Sequence, residues 1–249
     1  EDFDFDFDEF FDFSTISSQD KAKILMNLQR FISADNVDKE LHQTQVQKID
    51  TLVRIFIRNS FNELKDSFEK EDYSIVNLLV ETLNILDQED LQVEFFVQQN
   101  PFPTDLFPPT TLDSTGKVDE DALNDVIKDI TEFFNTKSAI IDKCFSDQLP
   151  VMFMYSEFVI DKHIVNKFFL EESLRNVDIV PFAYGKLLND FVNGLEPSNN
   201  AGENYKQIIM RFINLYFEPT VDRFLEETLK NFKSESVSRI RDFERDSNE

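Results

Sequence analysis

The chain has 249 residues, of which 25 are basic and 49 acidic, and its formal net charge is −24. Such a charge disfavours direct binding of nucleic acid or anionic lipid unless a local basic patch overrides it, and the lysines and arginines are scattered. It favours solubility and basic protein partners. The chain contains only four glycines and no tryptophan, which argues against Rossmann sheets, β-sandwiches and phosphate-binding loops. We therefore predict an all-α protein.

A single cysteine, Cys144, excludes an intrachain disulfide, which is typical of an intracellular protein. Its position within an apolar stripe predicts a packed thiol rather than a nucleophile. No apolar run approaches the roughly 20 residues that span a bilayer. The chain has no signal peptide and begins without methionine, so we expect it to be a fragment of a longer protein.

Residues 1–13, EDFDFDFDEFFDF, consist only of acidic residues and phenylalanine. One interpretation is an acidic linker. The other is a docking motif whose rings fill an apolar groove while its carboxylates meet a basic rim. On the second interpretation the candidate partner-binding residues are Phe3, Phe5, Phe7, Phe10, Phe11 and Phe13.

Residues 14–99 predict an N-terminal helical sub-bundle. Ser17 or Ser18 is a candidate cap for its first helix, and Asp72 or Ser74 begins its third. Four helices are expected, the second from about residue 41 to residue 68 and the fourth from about 88 to 98. The expected inward side chains of the first and third helices are Ile24, Leu25, Leu28, Phe31 and Ile32, and Ile75, Leu78, Leu79, Thr82, Leu83 and Leu86.

Residues 100–117 contain four prolines and Gly116, which predict a loop. Its apolar side chains Phe102, Leu106 and Phe107 indicate that the loop packs down. The loop separates the first sub-bundle from a C-terminal sub-bundle, residues 118–249.

The C-terminal sub-bundle is built around two helices between residues 119 and 170, with Pro150 expected to interrupt the pattern between them. Two further helices are expected, from about residue 177 to 192 and from about residue 205, the last tolerating or kinking at Pro219. From Lys233 onward the apolar content fades, so we expect the end to fray or to continue in a longer protein. The inward stripes of the central pair are Leu123, Val126, Ile127, Ile130, Phe133, Phe134, Ile140 and Ile141, and then Val151, Met154, Phe158, Ile164 and Phe168.

Together these patterns predict an elongated rod of about eight or nine antiparallel helices. No fixed repeat is present, which disfavours a regular solenoid. His42 and His163 lie in no catalytic or ligand pattern. The acidic residues Asp119, Glu120, Asp121 and Asp125 are the nearest approach to a magnesium site, and their place at a helix start has an ordinary electrostatic explanation. We therefore expect no enzymatic activity, cofactor or metal, with a magnesium-dependent helical enzyme as the remote alternative.

Two stretches of sequence carry a family resemblance. The first joins Asp12-Phe13 to KAKIL at residues 21–25 and ends in FFVQQNP at residues 95–101. The second reads FFN at residues 133–135 and SAIIDKCF at residues 138–145. In this order and spacing, over roughly residues 12–192, they resemble the recyclin family, fungal F-box proteins whose helical region is related to an exocyst subunit. Cys144 replaces the usual valine, Ser146 a frequent proline, and DQED at residues 87–90 a common glycine pair.

The resemblance implies a non-enzymatic adaptor in endocytic recycling and vesicle traffic, in the cytoplasm and peripheral on endosomes, Golgi or sites of polarised secretion. It implies Rab-type GTPases and SNARE cargo as partners, and a ubiquitin-ligase linker bound through an F-box that these residues lack. An exocyst tethering subunit that acts in exocytosis is the alternative. Neither interpretation assigns a partner to a residue.

Overall fold

The computed structural model describes residues 15–33, 39–168, 179–196 and 202–246, and these residues form helices joined by loops. The predicted all-α class is confirmed. The elongated rod stays a prediction.

Eight α-helices lie in the described residues. They are α1 Ser18–Ser33, α2 Lys39–Glu69, α3 Tyr73–Asn84, α4 Glu89–Gln99, α5 Glu120–Cys144, α6 Leu149–Val159, α7 Ile179–Lys186 and α8 Gly202–Asp246. Two of them widen at their C-terminal ends: α6 continues as the π-helix Ile160–Val165, and α7 as the π-helix Leu187–Phe191 and a last turn, Val192–Gly194.

The chain divides into two compact units. The first unit comprises residues 1–100 and 139–151, and the second comprises residues 101–138 and 152–249.

In the first unit, α1 packs against α2, and both pack against α3. The centre of this packing is apolar and consists of Ala22, Leu25, Leu52, Val53 and Leu86. Aromatic rings extend it: Phe68 meets Phe95 and Phe96 edge to face at 5.8 and 6.1 Å. Apolar burial of this kind, rather than helix propensity, holds short helices together in water.

Local polar contacts set the helix ends of the first unit. The Ser17 hydroxyl accepts a hydrogen bond from the Asp20 amide, and the Asp72 carboxylate accepts one from the Ile75 amide, so both predicted caps are present. The turns after α2 and α3 use left-handed residues, Glu71 at φ 57° and Asp87 at φ 55°. Glycine is the usual residue at such positions. This glycine-poor chain therefore carries backbone strain at both turns.

In the second unit the core lies among α5, α6, α7 and α8. Phe134 of α5 meets Phe191 at 5.2 Å and Tyr155 at 6.5 Å between ring centres. The fully buried side chains around them include Leu123, Ile130, Val159, Ile160, Phe168, Leu187, Tyr205, Ile209 and Phe217. The predicted inward stripe of α5 is thus largely confirmed.

The proline-rich loop packs down as predicted, because Phe102 is 4% exposed. Its ring contacts Phe133 at 5.1 Å and stacks on His163 at 4.9 Å. A short 3₁₀ turn, Thr104–Leu106, follows within the loop. Gly116, at φ 79°, supplies the left-handed residue of the last turn of the loop.

The predicted interruption at Pro150 is wrong. Pro150 lies in the first turn of α6, where backbone amides have no intrahelical acceptor and proline costs little. The break lies instead between Cys144 and Leu149, where the Gln148 side chain donates to the Phe145 carbonyl at 2.8 Å.

Some predicted inward side chains are exposed, because the buried face of each helix is rotated from the expected one. In α3 the buried series Val76, Leu79, Val80 and Leu83 starts one residue later than Ile75, and leaves Ile75 and Leu78 exposed. The other exposed members of the predicted faces are Phe31 of α1 and Met154 of α6. Phe31 follows the buried Leu25 by six residues, about 120° around the helix.

Candidate interaction surface

The predicted partner-binding phenylalanines of residues 1–13 lie outside the described residues. This applies to Phe3, Phe5, Phe7, Phe10, Phe11 and Phe13. Their docking role stays a prediction.

The described surface that has the character of a binding site lies on the second half of α8. Five large apolar side chains are exposed there, which we call the exposed stripe: Leu225, Leu229, Phe232, Val237 and Ile240. Each side chain is between 47% and 68% exposed. Leu225, Leu229, Phe232 and Ile240 fall within about 80° of the helix circumference, with Val237 beside them. Clustered exposed apolar side chains mark an interaction site far more often than single ones do.

The first half of α8 fixes the helix in the second unit. Its inward side chains are buried, in a series with helical spacing: Tyr205, Ile209, Phe212, Ile213, Phe217 and Val221. Burial raises the pKa of the Tyr205 hydroxyl far above its ordinary value. The i, i+4 row from Phe217 to Val221 continues into Leu225 and Leu229, so the exposed stripe begins where the packed core ends.

Polar contacts at the flanks orient the packed half. The Tyr184 hydroxyl lies 3.2 Å from the Asn214 side-chain oxygen, and the Tyr216 hydroxyl lies 3.3 Å from a Glu157 carboxylate oxygen. The helix runs unbroken through Pro219. Of the two predicted outcomes, a tolerated proline and a kink, the helix assignment agrees with the tolerated proline. Beyond Lys233 the chain stays helical to Asp246.

Charge changes character along the exposed half. Residues 222–229 carry three acidic and one basic side chain, a net charge of −2. Residues 230–241 carry four basic and one acidic side chain, a net charge of +3. The basic residues of the second group are Lys230, Lys233, Arg239 and Arg241, all of them exposed.

A second polar feature is a cavity of about 350 Å³ between the proline-rich loop and the π-helix of α6. Lys162 and His163 line it, but Lys162 pairs with Asp161 at 2.6 Å. The His163 ring stacks on Phe102, and burial lowers its pKa. Lys167 is 5% exposed and donates to the Pro108 carbonyl at 3.0 Å. The contacts of His163 and Lys167 hold the loop against the helix. The basic side chains at this cavity therefore have structural roles that require no bound ligand.

Cys144 and Asp119, two residues of types that occur at catalytic and metal sites, have structural roles here. Cys144 is fully buried, as predicted, and burial raises the pKa of its thiol to about 12, so it is protonated at neutral pH. The Asp119 carboxylate accepts a hydrogen bond from the Ala122 amide at 3.1 Å and so caps α5. Among the described residues no three His, Cys, Asp or Glu side chains are grouped so that they would hold a metal ion. None of the described helices combines the length and apolarity that a membrane crossing requires.

Comparison with known proteins gives one relative of note. The chain is 24% identical over 263 residues to Recyclin-1 of Saccharomyces cerevisiae. The alignment covers 93% of this chain and 31% of the yeast protein, so the chain spans about a third of the length of its relative. No family model matches the chain, and no solved structure gives a significant match. The chain therefore has a distant recyclin-like relationship that extends over nearly all of its length.

Proposed function

We propose that this chain is the helical, partner-binding part of a non-enzymatic adaptor in endocytic recycling and vesicle traffic. The observation that carries the proposal is the similarity to Recyclin-1 along 93% of the chain. Similarity that continues through both compact units favours a shared helical arrangement over a short shared motif. The low sequence identity, 24%, is compatible with two proteins that share the buried faces of their helices and differ on their surfaces.

The surface of the described residues supports the same role. An adaptor needs exposed apolar side chains that a partner can cover, and the exposed stripe of α8 supplies such side chains. Two potentially reactive side chains, Cys144 and His163, are engaged in packing. The exocyst alternative has no separate observation in its favour.

The expected partners are proteins: a Rab-type GTPase, SNARE cargo and, through an F-box outside these 249 residues, a ubiquitin-ligase linker. The expected place of action is the cytoplasmic surface of endosomes, the Golgi or sites of polarised secretion. These partners and places follow from the recyclin resemblance, and the experiment below tests the recycling role itself.

The test is a chimaera in which this chain replaces the matching third of yeast Recyclin-1, expressed in cells that lack the natural protein. We expect a fluorescent plasma-membrane SNARE to return from endosomes in these cells. A matched chimaera carrying Ile130→Asp should fail, because a carboxylate at a fully buried position unfolds the second unit. Failure of the unmodified chimaera, when it accumulates to the level of the natural protein, would contradict the proposal.

A further inference from the structure

The first unit carries an apolar surface of its own between α2 and α4. Phe61 and Phe68 of α2 lie 6.5 and 5.8 Å from Phe95 of α4 between ring centres, and all three rings are half-buried. Leu91, one turn before Phe95, is 47% exposed and extends the surface along α4. We call these four side chains the aromatic face. Part of each of them is open to contact from outside.

Basic side chains border the aromatic face on α2. Arg54, Arg58 and Lys65 are exposed and lie within about 60° of Phe61 around the helix. The whole helix has five basic and five acidic side chains, so the border arises from their distribution and not from a net charge. Such a border favours an acidic occupant for the apolar surface beside it.

Acidic side chains also lie close to the aromatic face, but they leave two of the three cations unpaired. Glu69 pairs with Lys65 at 3.9 Å, and Glu94 follows Leu91 by three residues on α4. Among the described residues neither Arg54 nor Arg58 takes part in an ion pair. Both guanidinium groups are therefore available to carboxylates of an occupant.

The N-terminal segment, residues 1–13, has the complementary chemistry. It consists of seven acidic residues and six phenylalanines, with no basic residue. Where the two types alternate, an extended chain places its rings on one side and its carboxylates on the other. The rings then cover an apolar surface, while the carboxylates stay in water within reach of long arginine and lysine side chains at the border.

The geometry of the first unit brings this segment to the level of the aromatic face. α1 and α2 pack against each other and are separated by five residues in sequence, so they run antiparallel. The Gln29 side chain donates to the Asp50 carboxylate at 3.2 Å, which fixes the register of the pair. With an equal rise per residue in both helices, Ser17 lies beside about position 62 of α2. The segment therefore joins α1 at the height of Phe61.

From this reach and this complementarity we propose that residues 1–13 dock on the aromatic face of their own chain. Phe11 and Phe13 are the nearest rings on one side of the segment. The four residues from Phe13 to Ser17 span at most ~14 Å, which is enough to cross from α1 to the face. A weak contact suffices, because a short tether gives an effective concentration of about millimolar. This inference does not depend on the proposed function.

The first test uses the absence of tryptophan from the chain. Phe11→Trp places a single fluorescent reporter in the segment, and Phe31→Trp, at a 74% exposed position of α1, is the exposed reference. We expect Phe11→Trp to emit at a shorter wavelength than the reference and to be quenched less by acrylamide. Both differences should persist on dilution, because docking within one chain does not depend on protein concentration.

Charge variants of the Phe11→Trp chain test the surface. Arg58→Glu/Lys65→Glu reverses the border at two exposed positions, so the carboxylates of the segment meet like charge. We expect the emission and the quenching of the reporter to move to the values of the exposed reference. Lys48→Glu/Lys70→Glu makes the same change of net charge at exposed positions elsewhere in the unit and should leave the reporter shielded. Circular dichroism checks that both variants keep their helices.

Chemical cross-linking of the unmodified chain tests the contact directly. A carbodiimide joins a carboxylate to a lysine amine that touches it, with loss of water. We expect such a bond between Lys65 and a carboxylate of residues 1–13, found by peptide mass mapping, and none between the segment and the exposed Lys48. In an equal mixture of unlabelled and heavy-nitrogen-labelled chains, the two joined peptides should carry the same label, because both come from one chain.

Each of the following outcomes would overturn the proposal. The reporter is as exposed as the Phe31→Trp reference, so that residues 1–13 are a linker. The reporter is shielded but does not respond to Arg58→Glu/Lys65→Glu, or responds equally to Lys48→Glu/Lys70→Glu, so that the aromatic face is not its site. Lys65 forms no bond with the segment, or the joined peptides carry mixed labels, so that the segment lies elsewhere or binds a second copy.

Discussion

The two halves of α8 have similar apolar spacing and opposite environments. In the first half Ile209, Phe212 and Phe217 are at most 3% exposed, whereas in the second half Leu225, Leu229 and Phe232 are at least 50% exposed. The spacing of apolar residues therefore shows that a helix has an apolar side, but it does not show what covers that side. For the first half the cover is α7 and the π-helix that extends α6.

This difference separates structural from functional use of the same pattern. A side chain buried within its own unit contributes to folding whether or not a partner is present. A side chain of the exposed stripe has little packing within its own unit and therefore contributes little to folding. Substitutions in the two halves should consequently affect different measurements.

The largest expected effect comes from truncating matched phenylalanines. Phe217→Ala, at a fully buried position, should lower the free energy of unfolding by about 3–5 kcal/mol, because it removes apolar contacts and leaves a cavity. Phe232→Ala should change it by less than about 0.5 kcal/mol. Urea unfolding followed by circular dichroism measures both. Equal losses would mean that Phe232 packs within its own unit.

A backbone perturbation gives the next largest contrast. Arg211→Pro and Ser234→Pro both replace an exposed side chain inside α8, so packing is not altered directly. Proline in a helix interior costs about 3 kcal/mol or more, through a lost hydrogen bond and a clash. We expect Arg211→Pro to destabilise the second unit by that amount.

Ser234→Pro should instead leave the urea midpoint nearly unchanged while reducing the helical signal, because the residues that lose their helix are not packed. A large loss of stability for Ser234→Pro would show that the exposed half is coupled to the core of the second unit. The tolerated Pro219 gives the natural reference for such a substitution, since α8 runs through it.

Local chemistry made several features predictable from the sequence. Ser17 and Asp72 were each one of two candidate caps, because a short side-chain oxygen satisfies an amide within a few residues along the chain. The burial of Cys144 followed from its place in an apolar stripe. The packed-down loop followed from the apolar Phe102 between prolines.

Other features depend on contacts that no local pattern specifies. The packing of α1 and α2 decides which face of α3 is buried. Leu78 was expected to point inward and is exposed, whereas its neighbour Leu79 is buried. A proline is compatible both with a break between helices and with the first turn of a helix, so Pro150 alone could not show which of the two is present. The π-helices after Val159 and Lys186 have no sequence signature that the periodicity reveals.

The exposed stripe lies between these cases. Its residues were visible as part of a helix, and the change of charge along residues 222–241 was present in the sequence. Its exposure became apparent only in the folded chain, because exposure depends on the absence of neighbours. The phenylalanines of residues 1–13 stay a prediction for which the described residues provide no test.

The smallest expected effect concerns Tyr205, in the packed half of α8. Its hydroxyl is buried and has no hydrogen-bond partner among the described residues, so Tyr205→Phe removes an unsatisfied polar group. We expect the variant to be neutral or more stable by about 1 kcal/mol at pH 7. The control Tyr216→Phe loses a hydrogen bond to Glu157 and should be less stable by a similar amount.

The pH dependence sharpens the test, because burial raises the pKa of Tyr205 above its ordinary value of about 10 in the unfolded chain. A raised pKa means that the folded state holds the proton more tightly. The corresponding stability is therefore complete below pH 10 and is lost as the pH rises above it. Urea unfolding at pH 9 and at pH 11 should show a smaller loss for Tyr205→Phe than for the unmodified chain. Equal losses would mean that the Tyr205 hydroxyl reaches water in the folded protein.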